Sequence, residues 1–384
     1  MKYNTDPPAI PDIISRLVLG VVMREASNPN HVNYRYWQLV QEMAKIVQSI
    51  GPPRGSSSPI GRLPTEILAQ IFLYCIPEDA NWTPAPYLAP MQLTAIAVNM
   101  PSLWRRLRLE MGHGDWQQRA FCYDSYLKRS RGRQLSLTLE CNNNKWTELR
   151  SLLQPYLDQI SSLHVGLSSG TSFFPPVAAD FGGLEELVIY TDGSNPVPAV
   201  THSIMHSITD LPPNMRNLRL LGMWSNFQVL SSLNSPSWAG LTNLEIMVAG
   251  LVSLPCLLRR CPNLLSLTMI GSFMPATETL GKLAHTKLQS LRISGDLRTN
   301  KVLFGLLGLF DYLMLPNLRI VEVRNIARWA HGEFKALITR SQCPLESLIF
   351  GGGVRTTPQQ LAEYVTLFPS LKLVIDPTRS SLFQ

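Results

Sequence analysis

From residue 160 onward the apolar positions fall into a recurring triad, L-x-x-L-x-φ, where φ is any apolar residue. The triads are Ile160/Leu163/Val165, Leu184/Leu187/Ile189, Met215/Leu218/Leu220, Leu241/Leu244/Ile246, Leu264/Leu267/Met269, Leu288/Leu291/Ile293, Leu318/Val321/Val323 and Leu345/Leu348/Phe350, and Leu371 with Val374 begins a ninth. The last two positions of each triad are two residues apart, the period of a strand that buries one face. One short strand cannot cover its own apolar side. The pattern therefore predicts parallel strands stacked one per repeat, each sheltered by its neighbours. The position before the last apolar residue of each triad then lies on the other face, as His164, Val188, Arg219, Glu245, Thr268, Arg292, Glu322 and Ile349. Arg219 is expected beside Glu245, and Arg292 beside Glu322, on strands ~4.8 Å apart. Such pairs are either exposed ion pairs of small energetic value or parts of a polar recognition face.

The segments between triads complete the unit. Leu254 to Cys261 and Phe334 to Arg340 have the apolar spacing of a return helix. Cys261-Pro262-Asn263-Leu264, Leu315-Pro316-Asn317-Leu318, Cys343-Pro344-Leu345 and Phe368-Pro369-Ser370-Leu371 mark where a helix ends and a strand begins. Arg133 to Leu139 alternates with period two and is expected to open the array, and Gly351-Gly352-Gly353 permits a tight exit from the eighth strand. The triad intervals bracket the ~20–29-residue period of leucine-rich repeats, and the two longest carry insertions.

Upstream, Leu63 to Ile76 reads as a helix. Pro64 suits its first turn, Glu66 complements the positive helix end, and from Ile67 to Ile76 the only polar residue is Gln70. A helix apolar on nearly every side is buried on two sides. Ser58-Pro59-Ile60-Gly61-Arg62 leads into it, and Met100-Pro101-Ser102-Leu103-Trp104-Arg105-Arg106-Leu107-Arg108-Leu109 follows. Together these stretches resemble the F-box of the F-box/leucine-rich-repeat class of mushroom-type fungi. In that class an LPxEIL helix is followed by a PxLW segment that feeds the first strand of the next domain.

The resemblance covers roughly residues 58–110. It implies an α/β chain with a short N-terminal helical F-box followed by a leucine-rich-repeat solenoid of parallel strands and return helices. The expected organisation is an N-terminal helical segment and linker over 1–58, the F-box over 59–110 and the repeat domain over 111–384. By resemblance, Leu63, Pro64, Ile67, Leu68, Ile71 and Phe72 meet the Skp-type adaptor of an SCF-type cullin ubiquitin ligase. The repeats would hold a client protein on a concave face that includes His164, Arg219, Glu245, Arg292 and Glu322. One stretch departs from the family. Leu93-Thr94 runs straight into Ala95-Ile96-Ala97-Val98, where members carry a V-C-x-x-W-R-like stretch, so the second half of the F-box is shortened. That departure sustains an alternative, a stand-alone repeat scaffold with a degenerate F-box.

Composition narrows the classes. With 45% apolar and 16% charged residues the chain has material for a core, and its net charge of +7 is modest for 384 residues. The basic stretches are Arg105-Arg106-Arg108 and Lys128-Arg129-Ser130-Arg131-Gly132-Arg133, read as solvated loop at a domain junction rather than a nucleic-acid patch. Six cysteines show no CxxC pair, which fits packed thiols in a reducing cytoplasmic or nuclear compartment. The apolar run Val302 to Leu315 is too short to span a membrane. Tyr36, Val40, Met43, Val47 and Ile50 form a two-heptad helical seam, read as packing within a monomer, before a Gly/Pro/Ser linker at 51–58. His202 and His206 lack a third ligand, and no nucleophile–base arrangement is evident. No enzyme activity, metal or cofactor is expected.

Overall fold

The computed structural model describes Pro64, Ile67 and residues 100–110, 116–141, 146–167, 180–191, 198–209, 211–225, 236–248, 253–271, 282–295, 308–326 and 329–376. Pro64 and Ile67 belong to one compact unit, and all the other described residues to a second. The Tyr36–Ile50 seam, the 51–58 linker, the shortened stretch at 93–98 and Leu63, Leu68, Ile71 and Phe72 lie outside the described residues.

The second unit is α/β, built on a parallel sheet of eleven strands. These are β1 (Arg106–Glu110), β2 (Leu135–Cys141), β3 (Ile160–Leu167), β4 (Glu186–Thr191), β5 (Asn217–Ser225), β6 (Asn243–Val248), β7 (Ser266–Gly271), β9 (Ser290–Gly295), β11 (Ile320–Arg324), β12 (Ser347–Gly351) and β13 (Lys372–Asp376). They lie side by side in chain order. β8 (Leu283–Ala284) and β10 (Leu313–Met314) form a small parallel pair of their own. The helices are α1 (Trp116–Arg129), α2 (Trp146–Leu153), α3 (Pro198–Ser207), α4 (Ser253–Arg260), α5 (His331–Ser341) and α6 (Pro358–Leu367).

The register turns the sequence triads into ladders. Leu107, Leu137, Leu163, Leu187, Leu218, Leu244, Leu267, Leu291, Val321, Leu348 and Leu373 stand beside one another across the whole sheet. A second row, two residues on, runs from Leu109 through Val165, Ile246 and Val323 to Phe350 and Ile375. Both rows are buried from β1 to β12. A parallel sheet covered on both faces reads as a continuous apolar run. These strands alternate over their first residues instead, because the other face is covered only in part, at Thr138, Val188, Met247, Ile270 and Ser294.

A bifurcated backbone contact repeats at the strand entrances and locks that register. The Glu185 carbonyl accepts from the N–H groups of Arg216 and Asn217, Arg216 from Thr242 and Asn243, and Thr242 from Leu265 and Ser266, all at 2.8–3.0 Å. The same contact continues through Leu265, Gln289 and Arg319. The asparagines of the turn motifs add a second tie. The Asn263 amide donates to the Ala239 carbonyl at 2.7 Å, and Asn317 donates likewise to Thr286. The Pro-Asn punctuation thus marks bonds between repeats as well as the start of strands.

Three expectations change. The sheet opens at β1, one strand ahead of the period-two stretch at 133–139, because Leu107 and Leu109 extend both apolar ladders. The ninth triad is displaced by one residue. Lys372 pairs with Ser347, so Leu373 and Ile375 hold the inward positions and Val374 faces outward beside Ile349. The cause is a connection one residue shorter: the Glu346 carbonyl accepts from Lys372 at 2.8 Å, where earlier carbonyls accept from two successive residues. The return path is also not helical throughout, since Pro236–Gly240 is a 3-10 turn carrying the buried Trp238. Leu254–Cys261 and Phe334–Arg340 do contain helix, as α4 and α5.

The two ends of the sheet are built differently. Ahead of β1, Pro101–Trp104 forms a 3-10 turn with Leu103 buried. Trp104 stacks on Tyr126 of α1 at 5.0 Å, and the Arg129 guanidinium lies 4.8 Å above the Trp104 ring. The basic run is therefore partly helix, and one of its charges rests on aromatic surface. Near the other end, Phe310, Trp329, Phe334, Phe350 and Tyr364 form a buried aromatic cluster. The Trp329 Nε1–H donates to the Tyr364 hydroxyl at 2.9 Å, and His331 Nδ1 lies 2.8 Å from the same oxygen. α6 begins with a reciprocal cap, the Thr357 side chain accepting from the Gln360 N–H and the Gln360 side chain from the Thr357 N–H.

Candidate functional site

The open face of the sheet follows from strand periodicity. Each five-residue strand turns its first, third and fifth side chains away from the leucine ladders. The middle row is Arg108, Thr138, His164, Val188, Arg219, Glu245, Thr268, Arg292, Glu322, Ile349 and Val374, in adjacent register throughout. His164, Arg219, Glu245, Arg292 and Glu322 thus share one row. Arg219 Nε meets Glu245 Oε2 at 2.6 Å, and Arg292 Nε meets Glu322 Oε2 at 3.3 Å. In both pairs the arginine is about half exposed while the glutamate is largely covered. Pairs exposed in this way contribute little to stability and leave the guanidinium edge accessible.

The flanking rows hold groups that a reading of the triads alone misses. His164 Nε2 lies 3.7 Å from Glu186 Oε2, and the Ser162 hydroxyl donates to the same oxygen at 2.7 Å. The His164 contact, aided by Ser162 and by the Arg219 charge, pulls the Glu186 carboxyl down to about 2 against the desolvation that opposes it. Farther along the same row the Asn243 amide donates to Asn217 Oδ1 at 2.6 Å. The signal for these residues was present. Positions two before and two after each middle residue share its face.

Two glycines let side chains reach across a whole strand. The Tyr190 hydroxyl on β4 donates to Glu140 on β2, passing over Gly166 of β3. A Cβ on Gly166 would lie 2.7 Å from the Tyr190 ring and hydroxyl. Arg108 Nη2 joins the same carboxylate at 3.2 Å. At the other end, Arg324 of β11 bonds Glu322 and reaches over Gly351 of β12 to Asp376 of β13 at 2.9 Å. Its partners hold the Arg324 pKa above the ordinary value, Glu322 contributing most.

The remaining candidates are spread out. Pro64 and Ile67 are exposed, with the Ile67 N–H donating to the Pro64 carbonyl at 3.0 Å and the Ile67 side chain 42% exposed. His202 and His206 both lie on α3, and His206 is exposed. Among the described residues no cluster of three His, Cys, Asp or Glu side chains could hold a metal ion. Cys261 is fully buried, and desolvation pushes its thiol up to about 12, far from a reactive thiolate. Cys343 is buried and its pKa is raised for the same reason. Gly352 and Gly353 both adopt positive φ, which accounts for a glycine run at the end of β12. No helix among the described residues is long and apolar enough to cross a membrane. The chain was compared with family models and with curated proteins, and matches none of either.

Proposed function

We propose that this chain is a non-catalytic substrate receptor of an SCF-type cullin ubiquitin ligase. In this reading the parallel sheet is the inner face of a leucine-rich-repeat solenoid that holds a client protein. The Leu63–Phe72 segment is the F-box helix, which holds a Skp-type adaptor through Leu63, Pro64, Ile67, Leu68, Ile71 and Phe72. One observation carries the proposal. Eleven parallel strands follow one another in chain order and present an unbroken row of mostly polar side chains. Such a row offers a client many donors and acceptors while supplying no assembled catalytic group.

The junction ahead of the sheet supports the adaptor half of the proposal. Pro101–Trp104 turns directly into β1, in the order the F-box resemblance implies for its PxLW segment. Ligase transfer chemistry would belong to other subunits, and the protein would act in the cytoplasm or nucleus. Co-expression with the adaptor, followed by purification through either partner, tests the reading. Adaptor recovery is expected, weaker than for an intact F-box because the stretch at 93–98 is short. Replacing Leu63 and Pro64 together by alanine should abolish recovery without changing the circular dichroism of the sheet. A wild-type chain that recovers no adaptor at high concentration would leave the repeat scaffold with a degenerate F-box as the function.

A further inference from the structure

We propose that the chain forms a two-fold symmetric homodimer by pairing β13 antiparallel with β13 of a second copy, centred on Val374. Among the described residues β13 is the last strand of the sheet and pairs only with β12. Its sequence is Lys372-Leu373-Val374-Ile375-Asp376. Placed antiparallel to itself about Val374, this strand sets Lys372 opposite the second copy's Asp376, Leu373 opposite Ile375, and Val374 opposite Val374. Opposed residues of an antiparallel pair share a face, so the charged pairs fall on the open face and the apolar pairs extend the buried ladders. The strand is self-complementary in both charge and hydrophobicity, which is what a two-fold interface requires.

The backbone agrees with that centre. The Lys372 N–H points to β12, where it donates to the Glu346 carbonyl at 2.8 Å. Alternation along the strand then turns Val374 and Asp376 to β12, and the main-chain groups of Leu373 and Ile375 to the edge. Leu373 and Ile375 would exchange N–H and C=O bonds with the second copy, and Val374 would form the close, non-hydrogen-bonded pair on the axis. Exposure points to the same surface. Ile375 is 58% exposed although it holds a ladder position that is buried in every other strand, and Val365 and Leu367 of the preceding α6 are 45% and 41% exposed. In the middle row of the open face, two apolar side chains stand side by side at this end, Ile349 and Val374.

The opposite edge makes the point by contrast. β1 reads Arg106-Leu107-Arg108-Leu109-Glu110, and the same operation would set Arg108 against its own copy. Like charges on the axis oppose pairing, a common protection of edge strands. Lysine on an edge strand usually protects it too. Here Lys372 finds Asp376 of the second copy, and so selects a register rather than blocking one.

The test uses the full chain. Sedimentation over a range of concentrations should show a monomer–dimer equilibrium. Lys372→Asp, at an exposed site, would turn two favourable charge pairs into two repulsive ones and should weaken dimerisation about tenfold or more, with unchanged circular dichroism. Val374→Cys on the axis should cross-link two copies under mild oxidation, well above the background of the native cysteines. Lys372→Cys should not, because residue 372 of each copy would lie about 14 Å from the other at ~3.4 Å per residue. A wild-type chain that stays monomeric at every concentration, with no added cross-linking in Val374→Cys, overturns the proposal and leaves the edge to a segment of this chain or a foreign strand. A dimer that is insensitive to Lys372→Asp and cross-links equally at 372 and 374 overturns it as well, since copies would then meet elsewhere.

Discussion

The two edges of the sheet begin from the same need and meet it differently. Among the described residues β1 and β13 each have one neighbouring strand, and each has two inward apolar side chains. At β1, Leu107 and Leu109 are buried, and the turn ahead of the strand is pinned by the Trp104–Tyr126 stack. At β13, Leu373 is half-buried and Ile375 lies open. An array of stacked strands must end in an element whose outer side tolerates water, or be covered there. At β1 the ladders end covered, whereas β13 resembles an interior strand with no further strand beside it among the described residues. An apolar ladder therefore stabilises only as far as something closes it.

The largest expected effect tests that contrast directly. Leu267 sits mid-ladder and is fully buried. Leu267→Ala should cost ~2–5 kcal/mol by leaving a cavity, and Leu244→Ala should cost a similar amount. Leu373→Ala, measured at low protein concentration, should cost ~1 kcal/mol, because a half-buried side chain returns less area to water on unfolding. Urea melts of the three variants decide the matter. A Leu373→Ala loss as large as that of Leu267→Ala would mean that the β13 edge is covered, and the comparison between edges would collapse.

The two bridges over glycine give the next step down. Arg324 carries a full charge between Glu322 and Asp376 and is mostly covered, so Arg324→Met should cost ~1.5–3 kcal/mol. Tyr190→Phe removes one hydroxyl from Glu140, which keeps Arg108, and should cost ~1 kcal/mol. If the order were reversed, the bridge near β1 would be the more important clamp, and the last strands would owe their order to packing alone.

Much of this contrast could be read in the chain, and what could not has a physical reason. The second and third apolar positions of eight triads sit where the spacing puts them, because period two leaves a strand no other way to bury them. The ninth failed because two overlapping pairs, Leu371 with Val374 and Leu373 with Ile375, each offer apolar side chains at a usable spacing, and the strand takes the second. Only the hydrogen bond from Lys372 to Glu346 separates the two. The edge strand at Leu107 and Leu109 was implied by the resemblance, whose PxLW segment feeds a first strand, and not by the triads that begin at residue 160. On the open face the middle row was legible from His164 to Ile349, since one position lies between the two inward ones of each triad. Glu140, Tyr190 and Arg324 were not. Their contacts span two strands over Gly166 and Gly351, and sequences some fifty residues apart carry no local trace of such a bridge.

The smallest effect, on pH, separates the two ends of the open face once more. Glu186 is held at about 2 in the folded chain, against an ordinary value of 4.5, chiefly by His164. A carboxyl whose folded pKa is depressed contributes stability that is fully present above the unfolded value. That contribution is lost as pH falls from about 4.5 through about 2. Glu186 is about one-third exposed, so solvent screening reduces the contribution to under ~1 kcal/mol. Glu186→Gln should therefore flatten part of the acid limb of the stability curve and leave melts at neutral pH nearly unchanged. His164→Gln should reproduce most of that flattening, because it removes the largest cause of the shift. Urea titrations at pH 2, 3, 4 and 7 would read both. If either variant left the acid limb as steep as in the wild-type chain, the His164–Glu186 contact would not persist in solution.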